Sequence, residues 1–250
     1  MASETEKTPA KLSGGYLEKT HRPLNCLMFL LPLLAAYETG QLFFRSNLLA
    51  PTRIAAVLEP FGAPGRLVPP LVIILIMLLW HIVSHEPWKV DAGALAGMAA
   101  ESIVGMLPLF GLWILTTRLL GPVHLNIAQP QDLTVSANVL SGIGAGIYEE
   151  FVFRLLAMGL VLFVTVDLLH GPKRAMVVLA MIVSAISFAL CHFVGHTPFD
   201  WYYFVFFALA GAYLATIFIA RGFGVAVGTH ACYNVVISLA PLFTAAVATP

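Results

Sequence analysis

Long apolar stretches separated by short polar ones organise the whole chain, and their lengths are those of bilayer-crossing helices. A hydrocarbon core of roughly 30 Å takes about 20 helical residues at 1.5 Å each. Read by length, the apolar stretches predict spans at Leu24–Phe44, Leu67–Val83, Gly93–Leu120, Ala175–Val194, Trp201–Ala220 and Val225–Ala245. Pro32 and Glu38 lie inside the first span, and Glu101 lies near the edge of the third. A further apolar run, Leu133–Leu169, is too long for one upright crossing: as a straight helix its roughly 37 residues would exceed ~50 Å. It reads as a strongly tilted helix, a broken helix, or a re-entrant piece joined to a span. Gly142, Gly144 and Gly146 mark the break or a close helix contact. The pattern predicts an all-α polytopic transmembrane bundle of about seven spans, within a range of six to eight. Three parts follow: a solvated N-terminal tail (1–22), N-terminal transmembrane helices with an interfacial loop (23–132), and a C-terminal transmembrane core (133–250).

Composition sharpens the same picture. Of 250 residues only 13 are Lys or Arg and 13 Asp or Glu, the hydrophobic fraction is 59%, and the mean hydropathy is +0.89. A soluble domain is about 25% charged, so this chain could not cover a globule with polar surface. A disordered chain, a coiled coil and a nucleic-acid binder with a basic face are excluded. Cys26, Cys191 and Cys232 are odd in number and form no CxxC, which argues against a disulfide framework and a thiolate zinc site. With seven spans, the segments on the side of the tail carry Lys7, Lys11, Lys19, Arg22, Lys89, Lys173, Arg174 and Arg221. The other side carries Arg45, Arg53, Arg66 and Arg118. Eight against four favours a cytoplasmic N-terminus. The short loops suit a bacterial cytoplasmic membrane.

The candidate chemistry lies where charge violates the apolar pattern. Glu149, Glu150 and Arg154 stand inside the long run. Each charge at mid-helix costs about 2.5–3.5 kcal/mol on insertion scales, so such a trio must be compensated or used. Glu150 and Arg154, four apart, share a helix face and can pair. Glu149 lies about 100° round the helix. It points elsewhere, as a general base must if it is to stay clear of a salt bridge. The bland alternatives are a buried ion cluster that fixes packing, or a trio sitting at an interface. Later spans add Phe188 with His192 and His230 with Asn234, each pair at i,i+4. Polar groups facing the bundle interior tend to meet in one cavity. His196 has a zinc-helix spacing to His192 but reads as a loop residue, and His21, His81, His85, His124 and His170 fall at span ends or in loops. Glu38 and Glu101 can snorkel or face the cavity.

Glu149-Glu150-x-x-x-Arg154, then Phe188-x-x-x-His192, then His230-x-x-x-Asn234, in that order on successive apolar helices, resembles the CPBP family of CAAX proteases and bacteriocin-processing enzymes, also called ABI. The resemblance covers about 141–240. It implies an intramembrane endopeptidase in which Glu149 and His192 activate a water. It also implies that His230 and Asn234 stabilise the oxyanion, with Glu150, Arg154 and Phe188 in support. No cofactor is implied, and the partners expected are a membrane-anchored protein or peptide substrate, possibly of prenylated CAAX type, and the bilayer itself. No nucleic acid is expected, and the oligomeric state is open. Two alternatives stand beside this reading. One is a zinc peptidase with Glu149, His192 and His230 as ligands. The other is a non-catalytic immunity or adaptor protein that keeps a buried polar cluster.

Overall fold

The computed structural model describes residues 15–44, 68–120, 135–194 and 198–248. Among them every regular element is helical. A short helix α1 (Tyr16–His21) leads into α2 (Pro23–Phe44), whose first position is the proline that a helix tolerates best there. Then come α3 (Val68–Val83), α4 (Ala92–Gly105), α5 (Leu107–Leu120), the long α6 (Val135–Leu168), α7 (Lys173–Cys191), α8 (Trp201–Arg221) and α9 (Phe223–Ala248). Six stretches are long and apolar enough to cross a membrane, with α4 and α5 together counting as one, and α3 is a shorter apolar helix. The protein is an integral membrane helix bundle, as the apolar pattern predicts.

Two expectations are resolved in detail. The run read as Gly93–Leu120 is interrupted at Met106. There Gly105 O accepts from the Tyr213 hydroxyl at 2.7 Å, which gives a carbonyl at the break a partner from α8. The long run is neither broken nor re-entrant. Val135–Leu168 continues as one helix, α-helical to Glu150, π-helical over Phe151–Met158, α-helical again over Gly159–Leu162 and π-helical over Phe163–Leu168. Its glycines serve close contact. A Cβ on Gly146 would stand 2.7 Å from the Ala231 nitrogen of α9, one on Gly144 would meet the Tyr37 ring of α2, and one on Gly142 would meet Asn234. Helix α6 therefore sits in the groove between α2 and α9.

Polar contacts tie the helix ends at one face of the bundle. Lys19 pairs with Asp91 at 2.6 Å, and Asp91 also caps α4 by accepting from the Ala94 N–H at 2.8 Å. Arg22 pairs with Glu86 at 3.3 Å, and Arg221 pairs with Glu101. Only Gly222 separates α8 from α9. Its φ of 91° and the 2.8 Å that a Cβ would leave to Thr20 O both demand glycine. Tyr16–His21, counted with the solvated tail in the sequence, is thus a packed helix with Thr20 fully buried. Residues 1–14, the 45–67 segment with its Arg/Pro/Gly cluster, the 121–134 loop with His124, and His196 lie outside the described residues.

Candidate active site

The site is built from α6, α7, α8 and α9, and its floor is an ion pair. Arg154 is the largest fully buried side chain among the described residues, and Glu150 is equally buried. Helical spacing puts Arg154 Nη1 3.0 Å from Glu150 Oε1, as the i,i+4 pattern predicts. The guanidinium makes two further contacts across helices. Nη2 donates to Gly211 O of α8 at 3.1 Å, and the group lies 4.6 Å from the centre of the Phe188 ring of α7. Gly211 lets α7 pack directly against α8 at Ala185 and Phe188.

His230 of α9 closes the floor. Its Nδ1 and Glu150 Oε1 are 2.9 Å apart. A carboxylate accepts, so Nδ1 carries the proton and Nε2 is turned toward Glu149. His230 Nε2 and Glu149 Oε2 stand 3.9 Å apart. Glu149 Oε2 has no hydrogen-bond partner, and the Glu149 side chain is about a quarter exposed, where that of Glu150 is sealed. Two consecutive carboxylates thus have different situations: Glu150 is fully buried and holds an arginine and a histidine, and Glu149 is partly exposed with one buried oxygen unpartnered.

Phe188 joins the two histidines. Its ring meets His192 edge-on at 4.8 Å and His230 edge-on at 5.8 Å. His192 stands at the C-terminal cap of α7, its Nδ1 2.8 Å from Phe188 O and its ring stacked on Phe207 at 3.7 Å. A carbonyl only accepts, so Nδ1 is the protonated nitrogen and Nε2 the acceptor. The Asn234 amide donates one hydrogen to Gly142 O at 3.1 Å, back across the α6–α9 contact. Glu149, Glu150 and Arg154 thus lie on α6, Phe188 on α7 with His192 at its C-terminal cap, and His230 and Asn234 on α9. Glu149 has His230 as its nearest basic neighbour, His192 reaches the cluster through the Phe188 ring, and Asn234 clamps a helix contact. Among the described residues no three His, Cys, Asp or Glu side chains are gathered as a metal-binding group.

Several polar contacts have no sequence signature. Tyr148 donates to Glu38 Oε1 across to α2 at 2.7 Å, and Ser184 of α7 donates to Phe153 O at 2.9 Å. Glu101, read as a snorkelling or cavity residue, holds Arg221 instead. His81, expected at a span end, is buried edge-on against Trp88 at 4.4 Å with neither ring nitrogen hydrogen-bonded.

A polytopic helical membrane protein with an interior Glu-Glu-Arg-His-His cluster is the class that fold and site define. Residues 131–236, the stretch that carries the whole cluster, match the family described as type II CAAX prenyl endopeptidase Rce1-like, which supports the resemblance to the CPBP family. No curated protein and no solved structure matches the chain.

Proposed function

We propose that the protein is an intramembrane endopeptidase that hydrolyses a peptide bond of membrane-associated substrates with a water activated by Glu149. One observation carries the reading: Glu149 Oε2, on a side chain about a quarter exposed, has no hydrogen-bond partner and lies 3.9 Å from His230 Nε2, while Glu150 beside it is held by Arg154 and His230. A water touching both groups gives its proton to Glu149, and its oxygen bonds to the scissile carbonyl carbon. General-base help of this kind is worth roughly 10²–10⁴ in rate. His192, with Nε2 as acceptor, assists from the α7 side. The oxyanion takes hydrogen bonds from His230 Nε2, when that ring carries both protons, and from the second amide hydrogen of Asn234. One such donor is worth roughly 10²–10³. The C–N bond then breaks as Glu149 returns the proton to the leaving amine. Glu150 and Arg154 hold His230 and the helix face in place. Lys19, Arg22, Lys89 and Arg221, at the face joined by α1, are assigned to the cytoplasmic side.

The test is cleavage of a panel of membrane-anchored peptides, prenylated CAAX peptides included, by purified wild type, Glu149→Ala and His192→Ala. Wild-type cleavage lost in both variants, with their folds intact, is the expected result. Full activity in either variant removes that residue from the mechanism. Stoichiometric zinc, with cleavage stopped by chelation, replaces the base mechanism by metal chemistry. No cleavage by wild type leaves the non-catalytic reading.

A further inference from the structure

Helix α6 is held at the site from two sides, and only one of them belongs to the reacting cluster. Successive helical residues turn by about 100°, so Tyr148 and Glu150 point about 160° apart and Glu149 lies about 100° from each. Glu150 faces α9 through His230 and is held by Arg154 on its own helix. Tyr148 faces the opposite way, into α2. Its ring is buried edge-on against Tyr37 at 5.6 Å, and its hydroxyl donates to Glu38 Oε1 at 2.7 Å. The Gln41 Nε2 amide donates to Glu38 Oε2 at 3.3 Å, so each carboxyl oxygen has a donor. Among the described residues no cation pairs with Glu38. A carboxyl in a membrane span is costly, and this one sits where a neutral acceptor would complete the same hydrogen bond. Below it, Gly144 lets the Tyr37 ring lie directly on α6.

We infer that Glu38 and Tyr148 form a positioning pair that sets the rotation of α6 and so aims Glu149 at His230. Glu38 lies in the first span, outside the segment that matches the family. The pair touches no reacting atom. It acts through the helix: with Tyr148 anchored to α2, α6 cannot turn about its axis, and the Glu149 carboxyl keeps its place beside the Nε2 of His230. An error of about 1 Å in such a placement can cost 10²-fold in rate. The inference rests on the proposed role of Glu149.

The experiment compares Tyr148→Phe, Glu38→Leu, Glu38→Gln and the double variant Glu38→Leu/Tyr148→Phe with wild type, all full-length and purified. Cleavage is read as separate kcat and KM, and the environment of His230 is read by ¹⁵N-histidine NMR, which needs no activity. Tyr148→Phe and Glu38→Leu are each expected to lower kcat roughly 10- to 100-fold with KM little changed. Both should shift the His230 resonances. The double variant should be no worse than either single one, because both remove one bond. Glu38→Gln keeps an acceptor for the Tyr148 hydroxyl and should restore both readouts. A lowered melting temperature with unchanged kcat per folded molecule and unmoved His230 resonances overturns the inference, and so does failure of Glu38→Gln to restore them. An inert wild type defeats the proteolytic reading alone, and the His230 resonances then decide the positioning pair by themselves.

Discussion

Glu149 and Glu150 are adjacent in sequence and identical in chemistry, yet one is sealed against Arg154 and His230 while the other has a partly exposed side chain with His230 Nε2 3.9 Å away. The difference is a helical turn of about 100°. It makes the pair separable by mutation. Arg154→Ala leaves Glu150 buried without its counter-ion, a loss of about 3–5 kcal/mol, so the unfolding midpoint should fall sharply and cleavage with it. Arg154→Lys keeps the charge but gives up the flat guanidinium that lies over Phe188 while reaching Gly211 O. Its midpoint should lie between the two. An Arg154→Ala midpoint equal to wild type would mean that the ion pair does not hold the floor.

At the scale of elements, α6 is the axis of the site, and small residues decide what it can touch. Gly146 lies where any Cβ would press on the Ala231 backbone, which cannot give way as a side chain can. Gly146→Ala should cost about 1–3 kcal/mol as overpacking. Gly159, on the same helix with helical backbone angles, has nothing within 4 Å of a Cβ. Gly159→Ala should leave stability unchanged or raise it by about 0.4–1 kcal/mol. Thermal unfolding of the two variants side by side checks this, and equal midpoints would remove the packing role assigned to Gly146. Beneath the site, Met158, Ala180 and Ala215 form a buried apolar plug between α6, α7 and α8, which closes the cluster on that side.

At the scale of the molecule, α1 fastens helix ends that come from both halves of the chain. Lys19 reaches Asp91 before α4, and the His21 ring lies 3.3 Å from Ile219 O near the end of α8. The hydrogen bond from Lys19, then that from the Ala94 N–H, holds the Asp91 carboxyl below the usual aspartate range. A lowered folded-state value contributes stability that is fully present above the ordinary value, about pH 3.9, and is lost as pH falls through the lowered one. Lys19→Met removes the larger cause. Wild type should therefore lose more stability than Lys19→Met on acidification below about pH 4. The two midpoints should converge at the lowest pH. Parallel curves across that range would show that the pair adds nothing to the tie.

The apolar pattern was enough to establish the membrane class and the number of candidate crossings to within one, and to single out the candidate site residues, because span length and buried charge obey local rules. Glu150 with Arg154 was legible for the same reason: i,i+4 is a property of one helix. The partners of Glu149, His192 and Asn234 were not, since each depends on how helices distant in sequence rotate against one another. Spacing placed His192 on α7 but could not show its ring on Phe207, nor that Asn234 would clamp Gly142. The glycines of α6 carried the right signal with two meanings, break or contact, and only Tyr37 and Ala231 pressing against them decided for contact. Sequence by itself determined the solvent of this protein and which side chains had to be reconciled with it. Tertiary structure alone decided which of them meet, because a hydrogen bond between helices such as Tyr148 to Glu38, 110 residues apart, leaves no period in the chain.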